Sequence, residues 1–101
     1  MKKLLIATTV SALIAGAALA EDIKLGIVFG FTGPIESLTQ PMASAAEMAM
    51  KEVTDSGALL SGSSVTSVRG DSTCIDSAAA VAVTERLVTS DKVNGIVGGD
   101  C

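Results

Sequence analysis

Ile23-Lys24-Leu25-Gly26-Ile27-Val28-Phe29, running into Gly30-Phe31-Thr32-Gly33-Pro34, decides the fold class. The first seven residues are a short apolar run of the kind a central parallel strand buries on both faces. The next five are turn-forming and continue neither strand nor helix. A helical period follows. Met42, Ala45, Ala46, Ala49, Met50 and Val53 stand at i, i+3, i+4, i+7, i+8 and i+11, which predicts one apolar helix face. Glu47 and Lys51 form an i, i+4 pair away from it. Ser37 and Gln40 have the spacing of a capping box, with Pro41 in the first turn and Gly57 as the stop.

The pattern then repeats. Val65 to Arg69 reads as a weaker strand, and Gly70-Asp71-Ser72-Thr73-Cys74 leads away from it. Asp76 is placed to cap a second helix from Ala78 to about Ser90, with Ala80, Val83 and Leu87 on its inner face. Asp91-Lys92 turns the chain into Val93-Asn94-Gly95-Ile96-Val97, predicted as a buried third strand. A β-α-β-α-β alternation requires a parallel sheet with crossover helices. The flavodoxin-like order 2-1-3 puts the switch point between the first and third strands, and ligands of such sheets sit beyond the strands' carboxyl ends.

Residues 1–20 read as a secretory signal peptide: Lys2 and Lys3, an apolar stretch from Leu4 to Leu13, and the small-x-small site Ala18-Leu19-Ala20. The stretch is too short for a membrane span, and no Cys follows the cleavage site to carry a lipid. Residues 21–101 then keep all eleven acidic residues against five basic ones, a net charge of −6. That balance argues against nucleic acid and anionic membrane partners. Phe29 and Phe31 are the only aromatic residues, too few for a base-stacking platform. An apolar strand at the chain's last residues without a covering helix is the expectation for part of a longer protein, whose isolated piece would aggregate or unfold with poor cooperativity.

Two Cys in an exported chain suggest one disulfide. A Cys74–Cys101 bridge closes a loop of about 27 residues, worth about 3.5 kcal/mol on the chain-entropy estimate. Two free thiols, or a different partner for Cys101, are the alternatives. The predicted topology favours the bridge, because both residues fall at the same edge of the sheet.

Catalytic constellations are absent from the sequence. With no His there is no Ser-His-Asp triad and no common general base. Two Cys so far apart make no zinc site. Gly26, Gly30 and Gly33 are spaced G-x-x-x-G-x-x-G, not as a dinucleotide fingerprint, and no phosphate-loop Lys follows. Neither a metal nor an organic cofactor is expected. Asp71 and Asp100, at strand ends, are read as loop-ordering carboxylates rather than as an acid and base. Gly30 to Thr39 combines backbone N–H groups at a helix start with the Ser37 and Thr39 hydroxyls and an apolar Leu38, a mixture suited to a small polar solute with some apolar bulk.

Ile23-Lys24-Leu25-Gly26-Ile27-Val28 with Thr32-Gly33-Pro34, then the helix around Glu47, resembles the opening of the leucine/isoleucine/valine-binding protein family, type I periplasmic binding proteins of branched-chain amino acid ABC transporters. Asp71-Ser72-Thr73-Cys74, Ala80-Val81-Ala82 and Ile96-Val97-Gly98-Gly99-Asp100-Cys101 are similar to the family's segment with two disulfide-linked Cys. The resemblance implies two α/β lobes closing on a solute, of which residues 21–101 start the first. It implies that groups just after the second Cys hold the ligand's α-carboxylate, and that a carboxylate of the other lobe meets its α-ammonium. It places Leu38 where the family sets a side chain, often aromatic, against the ligand. Ser37, Leu38, Thr39 and Cys101 are thus the candidate ligand-binding residues. The implied partners are an amino acid or amide and a membrane permease, with the full-length protein a periplasmic monomer. An extracytoplasmic sensor domain of the same fold is the alternative, and a flavodoxin-like enzyme a more distant one.

Overall fold

The computed structural model describes residues 21–101; the signal-peptide reading falls on residues 1–20, outside them. Three strands, β1 (Ile23–Phe29), β2 (Val65–Asp71) and β3 (Gly95–Gly98), alternate with helices α1 (Glu36–Ser56) and α2 (Ser77–Thr89). A single 3-10 turn, Leu60–Gly62, precedes β2. The strands form one parallel sheet in the order β2-β1-β3. Ile23 to Phe29 pair in register with Val65 to Asp71, and Leu25 to Val28 with Gly95 to Gly98. The predicted α/β class and strand order are those observed.

Side-chain alternation along β1 assigns each helix a face. Ile27 and Phe29 point to one side, where they pack with Phe31, Ala43 and Met50, flanked by Leu25, Ala46 and Val65. This is the α1 face. On the other, Gly26 of β1 and Gly70 of β2 leave a slot into which α2 presses Leu87, which is 0% exposed. Asp76 caps α2 as predicted, its Oδ1 accepting from Ala78 N at 2.9 Å and Ala79 N at 3.4 Å. Ala80, Val83 and Leu87 turn inward as predicted. Gly57 ends α1 in the left-handed conformation, φ 65°, where a side chain would be strained.

Five details depart from the sequence reading. The capping box is not formed: α1 begins at Glu36 with Ile35 as an N-cap that makes no side-chain bond, so Ser37 lies inside the helix and Pro41 is its sixth residue. Pro41 removes the N–H that would have reached the carbonyl of exposed Ser37.

The buried face of α1 is also rotated. Thr39, Ala43, Ala46, Met50 and Thr54 turn inward, while Met42, Ala45, Ala49 and Val53 are exposed. Two threonines hold it there. Thr39 Oγ1 donates to the Gly30 carbonyl (2.9 Å), and Thr54 Oγ1 accepts the Val65 N–H (2.8 Å). Both backbone groups lie at a strand end, where an unpaired polar atom is costly. An apolar period cannot register polar residues that face the core.

The second strand runs two residues further than predicted, because Gly70 and Asp71 remain paired with Val28 and Phe29. The third begins at Gly95 rather than Val93. Asn94 instead pairs with Lys24 partly through its side chain, its Oδ1 accepting Lys24 N at 2.9 Å while its own N–H reaches Lys24 O at 2.7 Å. Nor is β3 buried. Ile96 is 38% and Val97 37% exposed, because β3 is an edge strand among the described residues.

Candidate functional site

All three strands deliver their carboxyl ends to one rim of the sheet. The rim comprises Gly30–Ile35 after β1, Ser72–Asp76 after β2 and Gly99–Cys101 after β3. Cys74 and Cys101 are joined by a disulfide, with Cα atoms 5.5 Å apart, so the second and third loops are covalently tied. This is the predicted pairing.

Close approach of these loops depends on glycine. A Cβ on Gly30 would stand 2.9 Å from Cys74 Cβ, and one on Gly33 would stand 2.5 Å from the Thr73 carbonyl oxygen. Gly33 also has φ +100°, outside the range side chains ordinarily adopt. The glycine spacing that fails as a nucleotide fingerprint therefore has a different purpose. Gly26 admits α2, while Gly30 and Gly33 admit the loop after β2. Thr73 and Cys74 both hold positive φ, 61° and 67°, a costly conformation for residues with side chains.

Asp71 and Asp100 fasten the loop after β1. Asp71 accepts the Thr32 hydroxyl proton at 2.6 Å, the Thr32 N–H at 3.2 Å and the Thr73 N–H at 2.8 Å. Burial pushes its pKa up, but the bonds from Thr32, Thr73 and Phe31 together outweigh that, so the carboxyl is held below its ordinary value. Asp100 Oδ2 accepts the Gly30 N–H at 2.9 Å. Each carboxylate thus orders a loop at the rim.

Beneath the rim, Arg69 joins β2 to α1. Its Nε and Nη2 reach Glu47 Oε1 and Oε2, each at 2.7 Å, and its Nη1 reaches Gln40 at 2.9 Å. The guanidinium also lies over the Phe31 ring, 5.2 Å from its centroid. The Arg69 side-chain bond holds the Glu47 carboxyl below its ordinary pKa, and the same bond raises that of Arg69. Sequence reasoning passed over Arg69 as the last residue of a strand. Its only trace there was a charge on the strand face that β1 devotes to Ile27 and Phe29.

The candidate residues divide. Leu38, 61% exposed, and exposed Ser37 lie on the outer side of the first turn of α1. Ser37 borders a shallow hollow of about 370 Å³ with Gly33, Pro34 and Gln40. Thr39 is 0% exposed and its hydroxyl is engaged by Gly30, so it acts on the rim from behind. Cys101 is exposed and, with Asp100, Cys74 and Ile75, borders a larger groove of about 710 Å³ between α2 and β3. Among the described residues no cluster of three or more Asp, Glu, Cys or His could hold a metal ion, and no helix is long and apolar enough to cross a membrane.

The order of these elements can now be set beside known proteins. Residues 22–100 match the periplasmic binding protein family. The chain belongs to that family. Over 99 residues it is 39% identical to Leu/Ile/Val-binding protein homolog 7 of Brucella suis biovar 1 (strain 1330), and to the same protein of Brucella melitensis biotype 1. Each alignment covers 97% of this chain and 24% of the relative. The chain thus spans about a quarter of the length of the curated relatives it matches. Among solved structures it is similar to the branched-chain amino acid transporter substrate binding protein LivJ from Streptococcus pneumoniae str. Canada MDR_19A, determined in complex with isoleucine. That likeness has a TM-score of 0.68 at 29% identity and covers 77% of this chain and 22% of the other. The sheet and rim described above are therefore those of a periplasmic binding protein.

Proposed function

We propose that the protein containing this chain captures an amino acid, branched-chain in the first instance, or a related small solute in the periplasm and delivers it to the membrane permease of an ABC transporter. The single observation that carries this reading is the glycine-dependent, disulfide-tied rim at the carboxyl ends of a 2-1-3 parallel sheet, in a chain that belongs to the periplasmic binding protein family. The similarity to a Leu/Ile/Val-binding homologue and to an isoleucine-bound LivJ points to the ligand class.

In this reading residues 1–20 are an export signal and residues 21–101 begin the first of two lobes. Leu38 meets the ligand's side chain and Ser37 borders its path. Cys101 anchors the segment that holds the α-carboxylate. Thr39 serves indirectly through Gly30. The full-length protein works as a monomer, and capture is the stabilisation of a closed two-lobe state by contacts that the open state lacks.

The test is ligand-dependent melting of the full reading frame containing residues 21–101. At a hundred times its dissociation constant, a ligand adds about 2.7 kcal/mol. That raises the melting temperature by several degrees for L-leucine, L-isoleucine or L-valine. A flat response to these three and to a panel of other amino acids and amides contradicts the proposal.

A further inference from the structure

Gly30 is the residue on which the rim converges. Its N–H donates to Asp100 Oδ2 at 2.9 Å, across 70 residues of chain. Its carbonyl accepts the buried Thr39 hydroxyl at 2.9 Å. Its Cα side abuts Cys74, so that any β-carbon would collide there. Cys74 is in turn bonded to Cys101, the residue after Asp100. The ties form a closed circuit: Gly30 to Asp100 by a hydrogen bond, Asp100 to Cys101 by the chain, Cys101 to Cys74 by sulfur, and Cys74 back to Gly30 by contact. Three of these ties concern backbone and covalent groups that most substitutions leave in place. The Asp100 carboxylate is the one side-chain bond joining the end of β3 to the loop after β1 within this circuit.

We propose that Asp100 is a positioning residue for ligand capture: its carboxylate fixes the Gly30 peptide, and with it the Gly30–Leu38 segment, in the orientation that receives the solute. This rests on the solute-binding reading above. The physical reason is preorganisation. A loop already fixed before the ligand arrives loses little further freedom when it binds, and the interaction energy appears as affinity. Asp100 suits this role because it is half-buried at the rim and outside the apolar core, so its removal leaves no cavity beneath the sheet. A charged acceptor also makes a stronger bond to a backbone N–H than a neutral one.

The experiment uses the protein from the full reading frame, with Asp100→Ala and Asp100→Asn beside the wild type. Titration calorimetry with L-leucine and L-isoleucine reads affinity, ligand-free melting reads stability, and amide hydrogen exchange reads Gly30 directly. Asp100→Ala is expected to weaken binding about tenfold, the effect of freeing one loop tie. Its ligand-free melting temperature should stay within about 2 °C of wild type. Exchange at Gly30 should quicken while Ile27, inside β1, keeps its protection. Asp100→Asn retains an acceptor oxygen and should recover most of the affinity. Unchanged affinity in Asp100→Ala, or an affinity loss that merely follows a fall in melting temperature, overturns the proposal. Should the wild type bind no amino acid, the solute-binding reading fails by itself. Gly30 exchange still decides the positioning claim, which unaltered protection in Asp100→Ala would sink.

Discussion

Leu87 of α2 sits over Gly70 of β2 so closely that a Cβ on Gly70 would lie 3.1 Å from Leu87 Cδ1, and only 2.7 Å from Val83 Cγ2. The glycine is thus part of the packing surface, and the same Leu87 covers Gly26 on the adjacent strand. Gly70→Ala in the full-length protein is expected to cost about 1–3 kcal/mol by overpacking. Leu87→Ala should cost about 2–5 kcal/mol by leaving a cavity. Urea denaturation of the two variants checks both figures; an unchanged midpoint for Gly70→Ala would show that α2 does not press on the sheet.

Thr54 joins the last turn of α1 to the first residue of β2. Its hydroxyl accepts the Val65 N–H and donates to the Met50 carbonyl at 2.9 Å. Thr54→Val keeps the shape and removes the acceptor, leaving the Val65 N–H unsatisfied at a cost of about 1–3 kcal/mol. Thr54→Ser should retain most of the stability. Denaturation midpoints of the two variants, measured side by side, distinguish loss of the bond from loss of packing.

The Arg69–Glu47 pair is bidentate and about one-third exposed on both sides. A double-mutant cycle with Arg69→Met and Glu47→Gln is expected to give a coupling near the upper end for accessible pairs, about 1 kcal/mol, weakening in high salt. Arg69→Lys should not restore it, since an ammonium lacks the planar fork that grips both carboxylate oxygens.

Asp71 predicts an acid-sensitive rim. Its folded pKa lies below the ordinary 3.8, so the carboxylate contributes stability above that value. The contribution is lost as pH falls from 3.8 through the depressed folded value. Melting temperatures of wild type and Asp71→Asn, compared from about pH 6 down to about pH 2, should differ most at the upper end and converge at the lower. A gap that stays constant across that range would contradict the assignment.

Much of the architecture could be read from residue order. An apolar run ending at glycine marked β1, a weaker run marked β2, Asp76 marked the start of α2, and the alternation implied a parallel sheet, to which the flavodoxin-like order 2-1-3 was assigned. The disulfide was legible because the reading of residues 1–20 as an export signal, together with only two Cys in the sequence, suggested a single bridge. The inner face of α1 was not, since Thr39 and Thr54 face the core to satisfy strand-end backbone groups and look from sequence like surface residues. Arg69 was missed for a related reason. Its partners Glu47, Gln40 and Phe31 lie far along the chain, and only folding brings them together. Gly30 and Gly33 stood out as a spacing, yet their role as points of loop contact arises only where folding brings the loop after β2 against them. The proposed role of Leu38 against a ligand rests on family resemblance, while the Ser37 and Thr39 hydroxyls beside it suggested no more than a small polar solute.

The most direct measurement of the central claim is site-resolved amide hydrogen exchange on the full-length protein, with and without saturating L-isoleucine. Slowed exchange concentrated in Gly30–Leu38 and around Cys101, against an unaltered background in β1 and α2, is the predicted result. No ligand-dependent change at those positions, or protection confined to a different edge of the sheet, would contradict it.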